Sequence, residues 1–132
     1  MDSGAPADAA APPIQRLKRR PEFLRAAQKG KRAARPGLVL QAVPNGTAVL
    51  RVGFTVTKKV GNSVVRNRTK RRLREAARLS LPALGIAGYD LVLIGRDGTI
   101  ARPFAQLVAD LAGALRQTGT LAAPAPEGQG PR

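Results

Sequence analysis

Apolar and polar residues alternate along residues 51–59, and this period of two predicts a strand with one buried face. Val52, Phe54 and Val56 occupy that buried face. The opposite face carries small or polar side chains: Arg51, Gly53, Thr55, Thr57 and Lys59. The strand is therefore predicted to cover a core on one side and to meet solvent or a ligand on the other.

The period changes to that of a helix after a turn at Gly61, where Asn62 or Ser63 suits the N-cap. When the helix is drawn with 100° per residue, its apolar residues fall on one side, which is predicted to pack inward. These residues are Val65, Thr69, Leu73, Ala76 and Ala77. The other side and its borders carry Arg66, Asn67, Arg68, Lys70, Arg71, Arg72, Arg74 and Arg78. Cations four residues apart destabilise a helix by a few tenths of a kcal/mol per pair. Because Glu75 is the only acid in this segment, we interpret the face as a binding surface for a polyanion rather than an ordinary solvated surface.

Two elements are predicted to precede this strand and helix. Pro21 suits the first turn of a helix that ends near Lys29, just before a glycine. Residues 38–43 are predicted to form a strand. The Pro44-Asn45-Gly46 turn that follows predicts a hairpin between this strand and the one that begins near residue 48.

Residues 89–95 form an almost continuous apolar run, which is typical of a central strand. Pro103 then opens a last helix whose apolar residues share one side: Phe104, Leu107, Val108, Leu111 and Leu115. Both ends of the chain are rich in Ala, Pro and Gly and have little to bury. We therefore predict disordered tails at residues 1–13 and 117–132 around one domain at residues 14–116.

The chain has 132 residues, of which 43% are hydrophobic, and it carries a formal net charge of +15. So strong a positive charge favours a nucleic-acid partner. A membrane surface is the alternative, but no apolar run approaches the roughly 18 residues of a spanning helix, and no bulky aromatic face accompanies the basic one. The N-terminus lacks the basic start and leucine-rich segment of a signal peptide, so a cytoplasmic location is expected.

The sequence contains neither cysteine nor histidine, which excludes disulfides, thiolate chemistry, imidazole bases and Cys/His zinc sites. Its acids are scattered, and only Asp90 and Asp97 flank a common strand. A two-metal nuclease needs several carboxylates that converge on its ions, and acid–base cleavage of RNA needs a base that nothing here indicates. We therefore predict that no residue of the protein is catalytic and that none holds a metal.

The segment GFTVTKKVGNSVVRNRTKRRLRE, residues 53–75, closely resembles the signature of the bacterial ribonuclease P protein subunit. In that family an Arg-Asn-Arg core lies on a helix that follows a Lys-Lys-apolar-Gly-Asn turn. Here the core runs from Arg66 to Arg68, and the turn runs from Lys58 to Asn62. By the order of its elements the resemblance extends over residues 15–116, and the alanine-rich ends fall outside it.

The resemblance implies a fold and a role. The fold is α+β, a small sandwich of one mostly antiparallel sheet with helices, in which a left-handed crossover places the basic helix between parallel strands. In ribonuclease P, an RNA subunit with bound Mg²⁺ hydrolyses the bond that joins the 5′ leader to a precursor tRNA. The protein subunit binds that RNA and the leader. The implied partners are therefore the catalytic RNA and precursor tRNA, with no membrane and no small-molecule substrate.

The resemblance also implies two binding surfaces. Contacts to the catalytic RNA are expected from Arg66, Asn67, Arg68, Lys70, Arg71, Arg72 and Arg74. The leader is expected in a groove formed by Phe23, Gly53, Thr55, Thr57, Lys58 and Lys59. Phe23 is either a stacking platform for a base or a part of the core. Many members carry further aromatics at the positions of Ala27 and Gln41, so stacking is expected to contribute less here and electrostatics more.

Two other functions remain open from the residues alone. A small ribosomal protein that binds rRNA would share the charge and often the fold, but it would not need the polar strand groove. A free-standing nuclease is disfavoured by the missing acid–base residues. Cleavage of precursor tRNA with and without an added catalytic RNA separates the three functions.

Overall fold

The computed structural model describes residues 14–121, which form a five-stranded sheet with helices on both faces. The strands are β1 (Ile14–Arg16), β2 (Lys31–Arg35), β3 (Leu38–Pro44), β4 (Leu50–Val56) and β5 (Tyr89–Gly95). The helices are α1 (Arg20–Lys29), α2 (Ser63–Leu84) and α3 (Phe104–Gln117), and a 3₁₀ turn spans Lys58–Val60. The predicted strand, basic helix and apolar strand of the central region are thus β4, α2 and β5.

The strands lie in the order β1-β4-β5-β3-β2. β5 pairs in parallel with β4 and antiparallel with β3, and the outer pairs are β1–β4 (parallel) and β2–β3 (antiparallel). The longest ladder is the antiparallel one between β3 and β5, and α2 connects the two central parallel strands, β4 and β5. The predicted α+β fold class, with the basic helix between parallel strands, is confirmed.

The two faces of the sheet are covered unequally. Helices α2 and α3 pack together on one face, over a core that includes Leu40, Leu93 and Leu111. Helix α1 covers part of the other face, where a smaller cluster contains Leu17, Ala26, Val43 and Val92. Adjacent residues of β5 point to opposite sides of the sheet, which is why Val92 and Leu93 belong to different clusters.

None of the helices between residues 14 and 121 is long and apolar enough to cross a membrane.

The predicted hairpin between β3 and β4 is wrong, because β5 lies between these two strands. The chain does turn at the predicted place, where Gly46 has a φ of 71°. However, the Asn45 N–H donates to the Gly88 carbonyl at 2.9 Å, and the Gly88 N–H donates to the Val49 carbonyl at 2.9 Å. The segment before β5 therefore separates β3 from β4 at this end of the sheet. A turn signal predicts a reversal of the chain, but it does not show which strands then pair.

The structure also contains two strands that the sequence did not reveal. β1 and β2 read IQR and KRAAR, which are short and basic and lack the alternation of a half-buried strand. Both lie at the edges of the sheet, where short and charged strands are common because they discourage pairing with other chains.

The folded part extends further towards the C-terminus than predicted. α3 ends at Gln117, Thr118 is buried, and Leu121 packs against the core. The N–H of Leu121 donates to the Leu115 carbonyl at 3.0 Å. The first residues of the tail predicted at 117–132 thus belong to the folded part, while the rest of that tail and the one predicted at 1–13 lie outside the described residues.

Candidate nucleic-acid interface

The basic helix α2 begins as predicted. The Asn62 side-chain oxygen accepts a hydrogen bond from the Val65 N–H at 3.1 Å, which satisfies one of the free donors of the first turn. The helix ends at Gly85, which has a φ of 66°. Pro82 therefore lies inside the last turn of the helix and does not end it. The N-terminal end of α2 follows directly from the Lys58–Val60 turn at the end of β4.

The side of α2 predicted to pack inward does so. Thr69, Leu73 and Ala76 are each fully buried, and the Thr69 hydroxyl donates to the Val65 carbonyl at 2.8 Å. The predicted RNA-facing residues divide into two groups. Those that are exposed are Asn67, Arg68, Arg71 and Arg74, and those that are partly buried at the borders are Arg66, Lys70 and Arg72.

Two of these arginines have contacts within the protein and remain at its surface. The Arg66 guanidinium donates to the Gly61 carbonyl at 3.0 Å and so stabilises the turn before the helix. The Arg74 guanidinium lies 5.9 Å from the centre of the Phe54 ring, within the range of a cation–π contact. Each contact holds one arginine side chain in place and leaves further N–H donors on its guanidinium group.

Arg72 departs from the expected role, because its guanidinium is used inside the fold. It donates to the Arg102 carbonyl and lies 5.8 Å from the Phe104 ring centre, and its Nε atom is buried without a partner. Arg102 is in turn held by the Asp110 carboxylate at 2.9 and 3.1 Å. That carboxylate also accepts the Gly37 N–H at 2.9 Å. Arg72 therefore joins α2 to the segment before α3, and only its outer edge remains for a ligand.

The cationic face of α2 ends at an ion pair. Arg78 donates to both oxygens of Glu75, at 3.1 and 2.5 Å. The hydrogen bond from Arg78 holds the pKa of the exposed Glu75 carboxyl below its usual value. Because Arg78 is paired with Glu75, the free positive charge of the helix is concentrated in the part before Glu75.

A groove of about 450 Å³ lies on the opposite face of the sheet, between α1 and the strands. Its walls are mostly apolar, and two cations, Lys18 and Arg20, lie at the end of the groove next to the start of α1. The other lining residues are Phe23, Leu24, Ala27, Gln41, Phe54, Thr55, Val92 and Ile94. The structure thus brings together Phe23 and Thr55 as predicted. Ala27 and Gln41 also line the groove, so the two positions where many family members carry aromatics are both part of this surface.

Phe23 serves the core and the groove at once. A Cβ atom at Gly53 would lie 2.6 Å from the Phe23 ring and 3.0 Å from Leu17, so only glycine lets the ring pack on β4. Phe23 packs against the smaller core cluster and remains partly exposed towards the groove. The two roles considered for Phe23 are therefore compatible, and Gly53 provides the space in which the ring packs.

Four residues predicted for the groove are not in its lining, and the first of them is the buried Gly53 beneath the Phe23 ring. Thr57, Lys58 and Lys59 follow the last residue of β4 and are exposed around the 3₁₀ turn that leads to α2. In their place the structure adds Lys18 and Arg20, together with the aliphatic wall of Leu24 and its neighbours. The basic run at residues 16–20 was visible in the sequence, but only the path of α1 across the sheet shows that it borders the groove.

Four of the five carboxylates between residues 14 and 121 are bound by arginines of the protein itself, and the fifth, Asp97, is exposed. Asp90, whose side chain is 1% exposed, accepts from Arg51 at 2.7 and 2.8 Å and from Asn45 at 3.0 Å. Arg51 also donates to Glu22 at 2.9 Å. The hydrogen bond to Asp90 raises the pKa of Arg51 above its usual value. Within residues 14–121, no group of three or more acidic side chains is placed to hold a metal ion.

Comparisons with known proteins agree with this architecture. A family model described as Ribonuclease P matches residues 12–119. A ribonuclease P protein component from Gluconacetobacter diazotrophicus is 58% identical over 105 residues, 79% of this chain and 90% of the relative. One from Paramagnetospirillum magneticum is 51% identical over 128 residues, 90% of this chain and 96% of the relative. The solved Staphylococcus aureus RNase P protein has a TM-score of 0.68 at 28% identity, over 80% of this chain and 96% of that one.

The fold and the two surfaces define a class, a small basic α+β protein with a cationic helix on one face of its sheet and a groove on the other. The chain belongs to the ribonuclease P protein family. It is the protein component of ribonuclease P, the endoribonuclease that processes the 5′ end of tRNA. The family predicted from the sequence is therefore confirmed, and a ribosomal protein is not favoured.

The contacts of Arg72 predict a loss of stability when its head group is removed. Arg72→Ala is expected to lower the free energy of unfolding by about 1–2 kcal/mol, since one hydrogen bond and one cation–π contact disappear. Arg71→Ala, one residue away and exposed, is the matched control and should change it by less than about 0.5 kcal/mol. Urea unfolding of both variants measures the difference. Equal stability of the two variants would show that Arg72 has no structural role.

Proposed function

We propose that the protein holds two RNAs on opposite faces of its sheet. The ribonuclease P RNA binds the exposed face of α2, and the 5′ leader of precursor tRNA binds the groove beside α1. The observation that carries the proposal is this separation of one strongly cationic surface from one partly apolar groove. By binding both RNAs in the cytoplasm, the protein promotes removal of the leader and so formation of the mature tRNA 5′ end.

The contact with the catalytic RNA rests on the exposed residues of α2. Arg68 and Arg71 project from the first three turns, and Asn67 is exposed beside them as a hydrogen-bonding group. A guanidinium suits this role because its planar fork binds two phosphate oxygens at once. Arg66 and Lys70 add positive charge at one border. Arg72 adds less than its position in the sequence suggests, because Arg102 and Phe104 already engage its head group.

The contact with the leader rests on Phe23 and the residues around it. The ring offers one face for stacking a base, and Thr55 supplies a hydroxyl beside it. Lys18 and Arg20 border the same groove and supply positive charge for phosphates. Single-stranded RNA is usually recognised in this way, by aromatic platforms within a cationic groove. We assign the exposed run from Thr57 to Lys59 to phosphate contacts beyond the groove.

We assign the hydrolysis itself to the RNA subunit and the Mg²⁺ ions bound with it. Mg²⁺ held by that RNA would supply the activation of the attacking water and the stabilisation of the charge that develops on the phosphate. The protein's own contribution is electrostatic, because its cations reduce the repulsion between two polyanions that must lie side by side. Its buried carboxylates Asp90 and Asp110 are bound to arginines, so they serve the fold in this proposal.

The role of α2 predicts a charge-dependent loss of RNA affinity. Arg68→Ala should weaken binding of the ribonuclease P RNA and lower the slope of log affinity against log salt by roughly one counterion. Arg116→Ala is the control, because it removes the same charge from an exposed residue in the last turn of α3. Filter-binding titrations at several salt concentrations measure both quantities. The same affinity and slope in the two variants would mean that α2 is only a solvated surface.

The groove predicts discrimination between precursor and mature tRNA. Phe23→Ala should weaken binding of leader-bearing tRNA to the assembled enzyme about fivefold or more, since loss of one stack costs about 1–3 kcal/mol. Affinity for mature tRNA should hardly change, because it has no leader. Phe23→Leu keeps apolar volume for the core but removes the stacking face, so it should show the same selective loss.

Circular dichroism must show that both Phe23 variants are folded before their affinities are compared. A folded Phe23→Leu enzyme that binds precursor and mature tRNA in the wild-type ratio would rule out the groove as the leader site.

A further inference from the structure

A second cavity lies on the α2 side of the sheet, at the edge formed by β1. It has a volume of about 260 Å³ and is enclosed by β1, β4 and the C-terminal half of α2. Its lining residues are Ile14, Gln15, Arg16, Val52, Phe54, Arg74, Ala77, Arg78, Leu81 and Pro82. None of the roles assigned above uses this cavity as a binding site.

The interior of the cavity is apolar. Val52, Ala77 and Leu81 are almost fully buried and form its floor. Ile14 and Phe54 form accessible walls, and Ile14 is 42% exposed although it is a large aliphatic residue. A concave apolar surface that no residue of the range 14–121 fills favours occupation by an apolar ligand over hydration.

The rim of the cavity is cationic. Arg74 enters from α2, with its guanidinium 5.9 Å from the centre of the Phe54 ring, and Arg16 enters from β1. Arg78 also reaches the rim, where Glu75 neutralises it. A ligand that matches this arrangement has an apolar body and negative charge beside it. That is the composition of a nucleotide, whose base has apolar faces and whose phosphates flank it.

We propose that this cavity binds one unstacked base of the RNA that lies along α2. The proposal rests on the assignment of α2 to the ribonuclease P RNA, and it adds a base site to what is otherwise a surface for phosphates. The base would stack against Phe54 and the Arg74 guanidinium, the two kinds of platform that proteins use for extruded RNA bases. A volume below the roughly 300 Å³ of small-molecule pockets suits a single base.

The lining also indicates how selective the site is. Its apolar floor offers no side-chain donor or acceptor to read the edge of a base: Val52, Ala77 and Leu81 are all aliphatic. Stacking tolerates every base because each has a π face. The site is therefore selective for an unpaired nucleotide at one place in the RNA rather than for a particular base.

Replacement of Phe54 tests the proposal against a matched control. Phe54→Leu removes the stacking platform but keeps an apolar side chain. Phe104→Leu is the control, because Phe104 does not line the cavity. Like Phe54, it is partly buried against the main core and lies near an arginine, with its ring centre 5.8 Å from the Arg72 guanidinium. Binding to the ribonuclease P RNA is measured without precursor tRNA, because Phe54 also borders the leader groove on the other face.

The expected result is a fivefold or greater loss of RNA affinity for Phe54→Leu, with the salt slope unchanged because no phosphate contact is lost. Phe104→Leu should bind like the wild type. Equal losses in the two variants would assign the effect to folding and overturn the proposal. A loss of RNA affinity for Phe54→Leu together with a salt slope lower by about one counterion would also overturn the proposal. Displacement of Arg74 from a phosphate would then account for the weaker binding.

A photo-crosslinking benzophenone amino acid at position 14, at the mouth of the cavity, gives an independent readout. It should crosslink to one unpaired nucleotide of the ribonuclease P RNA, which primer extension then identifies. The same group at position 67, on the exposed face of α2, reports whether the helix contacts RNA at all. A crosslink from position 67 without one from position 14 contradicts the base site alone, and the absence of both contradicts the proposed function. A crosslink from position 14 to the protein's own chain also contradicts the base site.

Discussion

The close approach of α2 to β5 is the constraint on which the rest of the structure depends. A Cβ atom at Gly95 would lie 2.5 Å from the Thr69 side chain and 2.9 Å from Val56, so the helix can pack at this depth only over a glycine. Thr69 fits because its hydroxyl bonds to the Val65 carbonyl of its own helix and needs no other partner. Once one side of α2 is fixed against the sheet, its arginines have no place except the opposite side and the borders.

The fold holds this concentration of positive charge by separating its few acids from it. Asp90 and Glu22 hold Arg51 on the α1 face, and Asp110 holds Arg102 beneath the start of α3. A buried carboxylate that binds an arginine bidentately fixes an element and adds no free negative charge to the surface. Glu75 is the exception on α2, and it neutralises only the cation at the end of the basic face. The result is a protein with one strongly positive helix and a less charged groove behind it.

The sequence predicted the elements with a strong period and missed what depends on distant contacts. α2, β5 and α3 follow from their apolar spacing, and the resemblance to the ribonuclease P family identified the Arg-Asn-Arg helix. The β3–β4 hairpin was wrong because strand order depends on where β5 inserts, which the turn at Asn45 does not encode. The role of Arg72 was missed because its partners, Arg102 and Phe104, lie 30 or more residues away. The base-sized cavity was missed for the same reason, since β1 reads as a basic loop.

The protein acts by binding RNA, and the catalyst is the RNA subunit. The most direct measurement is cleavage of precursor tRNA at low Mg²⁺ by the protein alone, by the ribonuclease P RNA alone and by the two together. We expect no cleavage by the protein, little by the RNA, and efficient cleavage by the mixture, since the protein's cations replace part of the counterion requirement. Metal-dependent cleavage by the RNA-free protein, abolished by Asp90→Ala in a folded variant, would contradict it.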